Sequence, residues 1–272
     1  SVTFGDKPLN GAGNGDFFLA KLDANGSPLW SKRFGDAANQ SSAGLALDGA
    51  GNVVITGTFT SALSFGGNAL VASGNDNDIF VAKLDTNGDE VWSHRFGDIS
   101  DQSAASVAVD TAGNVLLTGS FSGSLAFEGK PLVGTDSNTD IFVAKLDASG
   151  KPLWGKAFGS AGDQDGTGIA VDGVGNVVVT GSFTGNVNFG GGPLAVASGT
   201  MMNSFLAKLD ANGNHQWSKR FGDAGYSAEA SLAVSGSNDV FLAGHFQGAV
   251  NFGDAPLASA GGSDVFVAKF SE

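Results

Sequence analysis

The strongest constraint on this chain is internal: its four tryptophans, Trp30, Trp92, Trp154 and Trp217, stand 62, 62 and 63 residues apart. Whole segments return in the same register, which is the signature of a repeat architecture. FFLAKLDANGSPLWSKRFGD, from Phe17 to Asp36, recurs as IFVAKLDTNGDEVWSHRFGD, IFVAKLDASGKPLWGKAFGS and SFLAKLDANGNHQWSKRFGD. A second block, GLALDGAGNVVITGTF from Gly44 to Phe59, recurs as SVAVDTAGNVLLTGSF, GIAVDGVGNVVVTGSF and SLAVSGSNDVFLAGHF. The repeats run over about 1–62, 63–124, 125–186 and 187–248, with a partial copy over 249–272, and are read as one domain.

Alternation and turn chemistry predict four strands per period: a (Ser106 to Asp110), b (Val115 to Phe121), c (Ile141 to Asp147) and d (Leu153 to Phe158). The a–b and c–d connections are short and carry Gly with Asn or Ser, which supply the positive φ of tight hairpins. Consecutive strands should therefore pair antiparallel. Between b and c lies a longer insert, Ser122 to Asp140, whose Phe127, Pro131 and Leu132 predict a small extra hairpin. A lone sheet that is apolar on both faces is unstable in water, and stacking copies radially buries those faces. The expected fold is all-β, a β-propeller of four-stranded antiparallel blades. In strand d, Trp92, His94 and Phe96 share a face, so the tryptophan is expected to pack between blades rather than to stack on a sugar.

GIAVDGVGNVVVTGSF followed by DIFVAKLDASGKPLW resembles the bacterial SBBP-type β-propeller repeat over essentially the whole chain, and in outline the NHL repeat. The resemblance implies a propeller in an exported or cell-surface bacterial protein. AKLDANGSPLW is also similar to the tryptophan motif of quinoprotein dehydrogenase propellers, but it is one residue short between Asp and Gly. The cysteine pair typical of those enzymes is absent, because the chain has no cysteine.

Residues 1–24 align without gaps onto 249–272, pairing Phe4 with Phe252 and Lys21 with Lys269. Strands c and d from the N-terminus, three complete units and a, b and c at the C-terminus exceed a four-bladed ring by one strand. The expected solution is a four-bladed ring closed by pairing N- and C-terminal strands, with Phe17 to Leu22 and Val265 to Phe270 competing for one place. The surplus strand would then be free to pair with another molecule. A fragment of a larger array, or two chains closing an eight-bladed ring, are the alternatives.

Fourteen basic against 27 acidic residues give a net charge of −13, which disfavours nucleic acid and anionic membrane surfaces as partners. No apolar run is long enough to insert into a bilayer. The start at Ser1 reads as a mature form or a piece of a longer chain.

Catalytic patterns are not found. His94, His215 and His245 form no HxH or HExxH spacing, and no GxSxG elbow occurs. No cofactor is expected, with calcium the one candidate: Asp76 and Asp78 in GNDND, and Asp136 and Asp140 in TDSNTD, offer hard oxygen ligands, with a solvated turn as the competing reading. The loop after strand d places Asp36, Gln40, Asp98, Gln102, Asp163 and Gln164 where a sugar hydroxyl or a peptide could be bound, against a polar turn whose Asp caps amides. Lys21, Lys83, Lys145, Lys208 and Lys269 recur on strand c beside Asp23, Asp85, Asp147 and Asp210, predicting a repeated structural Lys–Asp pair. The sequence thus points to a non-enzymatic extracellular or cell-surface structural or adhesive protein, with itself or other surface proteins as partners. A multivalent glycan-binding propeller is the alternative.

Overall fold

A computed structural model of the chain describes residues 1–5, 7–127, 130–135, 137–196, 202–222, 224–253 and 255–271, and for residue 7 and 224–230 the backbone alone. The N-terminal part holds a hairpin, β1 (Val2–Phe4) and β2 (Lys7–Leu9), and a two-stranded sheet, β3 (Phe17–Leu22) and β4 (Pro28–Phe34). The first full blade comprises β5 (Gln40–Leu47), β6 (Val53–Phe59), β9 (Asp78–Leu84) and β10 (Glu90–Phe96), with β7 (Ala62–Leu63) and β8 (Leu70–Val71) as its insert hairpin. The second has β11 (Gln102–Val109), β12 (Val115–Ser122), β15 (Thr139–Leu146) and β16 (Pro152–Phe158), with the insert β13 (Ser124–Leu125) and β14 (Leu132–Val133). The third has β17 (Gln164–Val171), β18 (Val177–Phe183), β21 (Asn203–Leu209) and β22 (His215–Phe221), with β19 (Asn186–Asn188) and β20 (Pro193–Ala195). Last come β23 (Ala224–Val234), β24 (Val240–Val250), the short β25 (Leu257–Ala258) and β26 (Asp264–Phe270).

Every ladder is antiparallel, and strands a to d follow each other across each blade as the alternation predicts. Among the described residues there is no helix, and the fold is a β-propeller built from repeated four-stranded blades. The first strands of successive blades, β5, β11, β17 and β23, touch in order. Strand a is longer than its alternation suggests. It reaches back to Gln102 because pairing resumes beyond a bulge between Ala104 and Ser106. Gly119 sits opposite that bulge, where a Cβ would strike the Ser103 carbonyl oxygen, so only glycine fits.

The core lies between blades. Val54, Ile79 and Val81 of the first blade interlock with Val115, Leu117, Phe142 and Ala144 of the second. Leu116, Ile141 and Val143, on the second blade's other face, meet Val177, Val179 and Phe205 of the third. Thr56, Thr118 and Thr180 remain buried because each hydroxyl donates to a backbone carbonyl of the adjacent strand c, at Phe80, Phe142 and Phe205.

Three of the four tryptophans reach the next blade. Trp30 Nε1 donates to the Thr86 carbonyl at 3.0 Å, Trp92 Nε1 to Ala148 at 3.2 Å and Trp154 Nε1 to Ala211 at 3.1 Å, all in the c–d turn of the following blade. Lys32 and Lys156 reach the same turns, donating to Gly88 and Gly213. Packing between blades is thus the role the tryptophans have.

Ring closure is where sequence expectation and structure part. β3 pairs with β4, and β24 pairs with β23, β25 and β26, so among the described residues no N-terminal strand pairs with a C-terminal one. Each of the competing copies of strand c keeps the partner adjacent in sequence. A hairpin closed by a short turn costs far less chain entropy than a ladder joining the chain ends.

Replacing Trp92 with Ala removes both the packing and the indole bond to Ala148, and is expected to cost about 3–5 kcal/mol in urea unfolding. Trp92→Phe should recover most of it; equal losses for both variants would mean that ring packing contributes little there.

Candidate functional site at the loop edge of the blades

The tight a–b and c–d turns occupy one end of each blade, and the d–a loop and the b–c insert occupy the other. At the tight-turn end, Asp48, Asp110 and Asp172 organise the a–b turns. Asp110 Oδ1 accepts from the Ala112 and Asn114 amides, and Oδ2 accepts from Asn114 Nδ2 at 2.8 Å. The remaining partner is the strand c lysine: Lys83 to Asp48 at 2.8 Å, Lys145 to Asp110 at 3.0 Å and Lys208 to Asp172 at 3.0 Å, all buried, and Lys269 to Asp239 at 3.0 Å near the surface. The predicted Lys–Asp pair exists, but its carboxylate is not the one on strand c. Asp85, Asp147 and Asp210 are held by the amides of their own turns, whereas strand c lies beside strand b and so brings its lysine to the a–b turn.

Burial pushes the Asp110 and Asp172 carboxyls up, but hydrogen bonds from Asn114 and Lys145, and from Asn176 and Lys208, outweigh it and hold both below the ordinary range. The same balance at Asp48, with Lys83 and Asn52 as donors, leaves its carboxyl far below that range.

At the loop end, the sequence-predicted site residues fall into two layers. Asp36 Oδ1 accepts from Gln40 Nε2 at 2.7 Å and from the Ala38 amide at 2.8 Å, and Oδ2 meets the Ala62 amide at 3.3 Å. Asp98 repeats this with Gln102 Nε2 at 2.8 Å and the Ser100 amide at 2.9 Å, and it also bonds the Ser124 hydroxyl. These carboxylates tie the d–a loop to the insert hairpin, and Gln40, Gln102 and Gln164 are buried. Asp163 does not occupy the Asp36 position. Its Oδ1 accepts from the Thr139 amide at 3.2 Å, as Asp101 accepts from Asn77, while Ser160 stands where Asp36 and Asp98 stand.

Beneath them lies a layer the sequence reading only half identified. Asp78 opens strand c, fully buried, and Arg95 Nη1 approaches its Oδ2 at 2.6 Å; Arg33 meets Asp16 at 3.2 Å, and Arg220 meets Asn203 at 3.1 Å. The arginines recur three residues after tryptophan in SKRFGD and SHRFGD, a periodicity visible in the alignment. In GKAFGS the arginine becomes Ala157, and Asp140 is buried with Thr135 as its donor instead. Of the calcium candidates, Asp78 has an internal guanidinium, Asp76 is exposed and Asp136 lies outside the described residues. Among the described residues no three His, Cys, Asp or Glu side chains converge as metal ligands. His94 lies against Trp92, His215 bonds Ser218 at 3.1 Å, and His245 is on β24. A cleft of about 500 Å³ between β14 and β16 is lined by Phe127, Lys130, Pro131, Pro152 and Trp154.

No family model matches the chain. It is 25% identical over 244 residues to an uncharacterized WD repeat-containing protein of Acanthamoeba polyphaga mimivirus, covering 74% of this chain and 17% of that protein. It is 28% identical over 189 residues to the regulatory protein FlaEY of Caulobacter vibrioides, covering 65% of this chain and 19% of that protein. The chain therefore spans less than a fifth of either relative. Among solved structures, Kuenenia stuttgartiensis hydrazine synthase aligns with a TM-score of 0.34 and 8% identity over 75% of this chain and 76% of that one.

Lys145→Met strands the Asp110 carboxylate in a buried turn and is expected to cost about 3–5 kcal/mol, part of it returned by adding Asp110→Asn. The lowered carboxyls of Asp48, Asp110 and Asp172 contribute stability above the unfolded-state value of about 4, lost as pH falls below it. Urea midpoints should therefore drop between roughly pH 4 and pH 2, and less steeply in Asp110→Asn; parallel slopes would show that this carboxylate is not among the groups responsible.

Proposed function

We propose that the chain is a non-enzymatic protein-interaction scaffold of the cell surface or extracellular space, which self-associates through the faces of its terminal blades. The observation that carries this reading is a mismatch between equivalent positions. Ile79, Val81, Ile141 and Val143 on strand c are fully buried by the following blade, yet Val265 and Val267, their equivalents on β26, are 84% and 76% exposed. Phe241 on β24 is 38% exposed beside them.

At the other end, Leu45 and Leu47 are 53% and 60% exposed, while Val107 and Ile169, which match Leu45, are buried. Among the described residues no strand a or b covers them, and β23 and β24 are strands of that kind. These are the two sides of one inter-blade interface, except that Phe17 and Leu19 of β3 already hold the place of strand c against the first blade, so a second copy docks head to tail with its β26 taking that place from β3. Among the described residues β26 pairs on one side alone, with β24, and its other edge offers its backbone to the same partner. The relative with WD repeats supports a scaffold of stacked blades, and the resemblance to SBBP-type repeats supports the surface location.

Sedimentation velocity across a concentration series tests the reading. Assembly should grow with concentration, and Val265→Lys with Val267→Lys should abolish it while leaving the unfolding midpoint nearly unchanged; a wild-type chain that stays monomeric throughout overturns the proposal.

A further inference from the structure

The loop-end layer contains one position that breaks the repeat in charge. In the first two copies a buried carboxylate and a glutamine carbonyl oxygen converge over the glycine of the FGD motif. A Cβ on Gly97 would strike Asp78 Oδ1 and lie 2.7 Å from Gln102 Oε1, and one on Gly35 would meet Asp16 Oδ1 and Gln40 Oε1 in the same way. Asp78 Oδ1 is buried with no hydrogen-bond partner, and the Gln102 oxygen beside it accepts from the Asp98 amide at 3.3 Å. Arg95 supplies the compensating positive charge at Asp78 Oδ2, and Arg33 supplies it at Asp16 Oδ1.

The third copy keeps the acceptors and lacks the cation. Asp140 is 1% exposed, and its Oδ1 and Gln164 Oε1 crowd the same point over Gly159. Thr135 contributes its amide to Asp140 Oδ2 at 2.5 Å and its hydroxyl to Oδ1 at 3.0 Å, and that hydroxyl also lies 3.2 Å from the Ser160 carbonyl oxygen. Ala157 stands where the arginine would be, and among the described residues no cationic group pairs with Asp140. A buried carboxylate with neutral donors alone carries an uncompensated charge, which is costly at this depth.

We propose that this position in the third copy binds a hard divalent cation of calcium's class, with Asp140 Oδ1, Gln164 Oε1, the Thr135 hydroxyl and the Ser160 carbonyl as protein ligands and water completing the shell. One carboxylate and three neutral oxygens are few for calcium, which takes six to eight oxygens, so the affinity belongs in the millimolar class of extracellular sites. The cation replaces electrostatically the guanidinium that the neighbouring copies carry. The same oxygens form no such site in the first and second copies, where the arginine occupies the charge-compensating position.

Thermal unfolding of the full chain with calcium chloride or with EGTA, at matched ionic strength, is the test. The wild-type melting temperature should rise by about 3 °C at roughly 10 mM calcium. Ala157→Arg should raise it without calcium and remove the response. Should that variant fail to fold, Asp140→Asn, which is expected to abolish the calcium shift, decides instead. No shift in the wild type, or a shift that persists in either folded variant, overturns the assignment.

Discussion

The structure depends on burial of sheet faces between neighbours. Each blade is apolar on both sides: Leu116, Ile141 and Val143 face one way while Val115, Leu117 and Phe142 face the other, and all are removed from water. Such a sheet has no stable existence alone. The contact is made specific by the tryptophan of strand d, whose indole N–H finds a carbonyl in the next c–d turn. Dispersion and hydrophobic burial set the strength of the interface, and these few directed bonds set its register. Because the carbonyl belongs to a tight turn fixed by its own aspartate, the acceptor is in place before the blades meet.

The same logic explains why the termini differ from the middle. Identical sequence does not give identical environment: Lys83, Lys145 and Lys208 are buried against a–b turn carboxylates, while Lys21, whose sheet has no a–b turn, donates to the Thr86 carbonyl of the neighbouring blade. Stability in such a stack is shared between units and their interfaces, so the outer units are the ones with interfaces missing. The exposed Val265 and Leu45 express this at opposite ends.

Much of this was legible in the sequence because the repeat averages over local ambiguity. Strands b and d lie within a residue of their expected bounds, and the insert hairpin falls where Phe127 and Leu132 pointed. Two features were not legible, for physical reasons. The lysine partner is decided by which strand lies beside strand c, and a pattern along strand c, with Asp85 two residues from Lys83, suggests the wrong carboxylate. Ring closure depends on a competition between a local hairpin and a long-range ladder, a balance of chain entropy that no periodicity encodes. At the candidate site, Asp36 and Asp98 were found by recurrence, but the buried partners Asp16 and Arg33 beneath them were passed over because a lone Asp and a lone Arg far apart in sequence carry no motif.

In a protein of near-identical units, departures from the repeat carry the information that the repeat cannot. Two of them border the second blade. At the lysine position of strand d, Lys32 and Lys156 donate to the turn of the next blade, whereas His94 is buried against Gly150 with Nε2 unpartnered. On the second blade itself, which His94 of the first blade packs against, Ala157 removes the cation from Asp140. Neither change is required by packing, since the flanking copies hold a long cationic side chain at the same place without strain in the ladder. Both withdraw positive charge from a chain that already has a net charge of −13. The second blade is therefore where the array departs furthest from being a uniform scaffold, and Asp140 is where that departure leaves a buried charge to be answered from outside the chain.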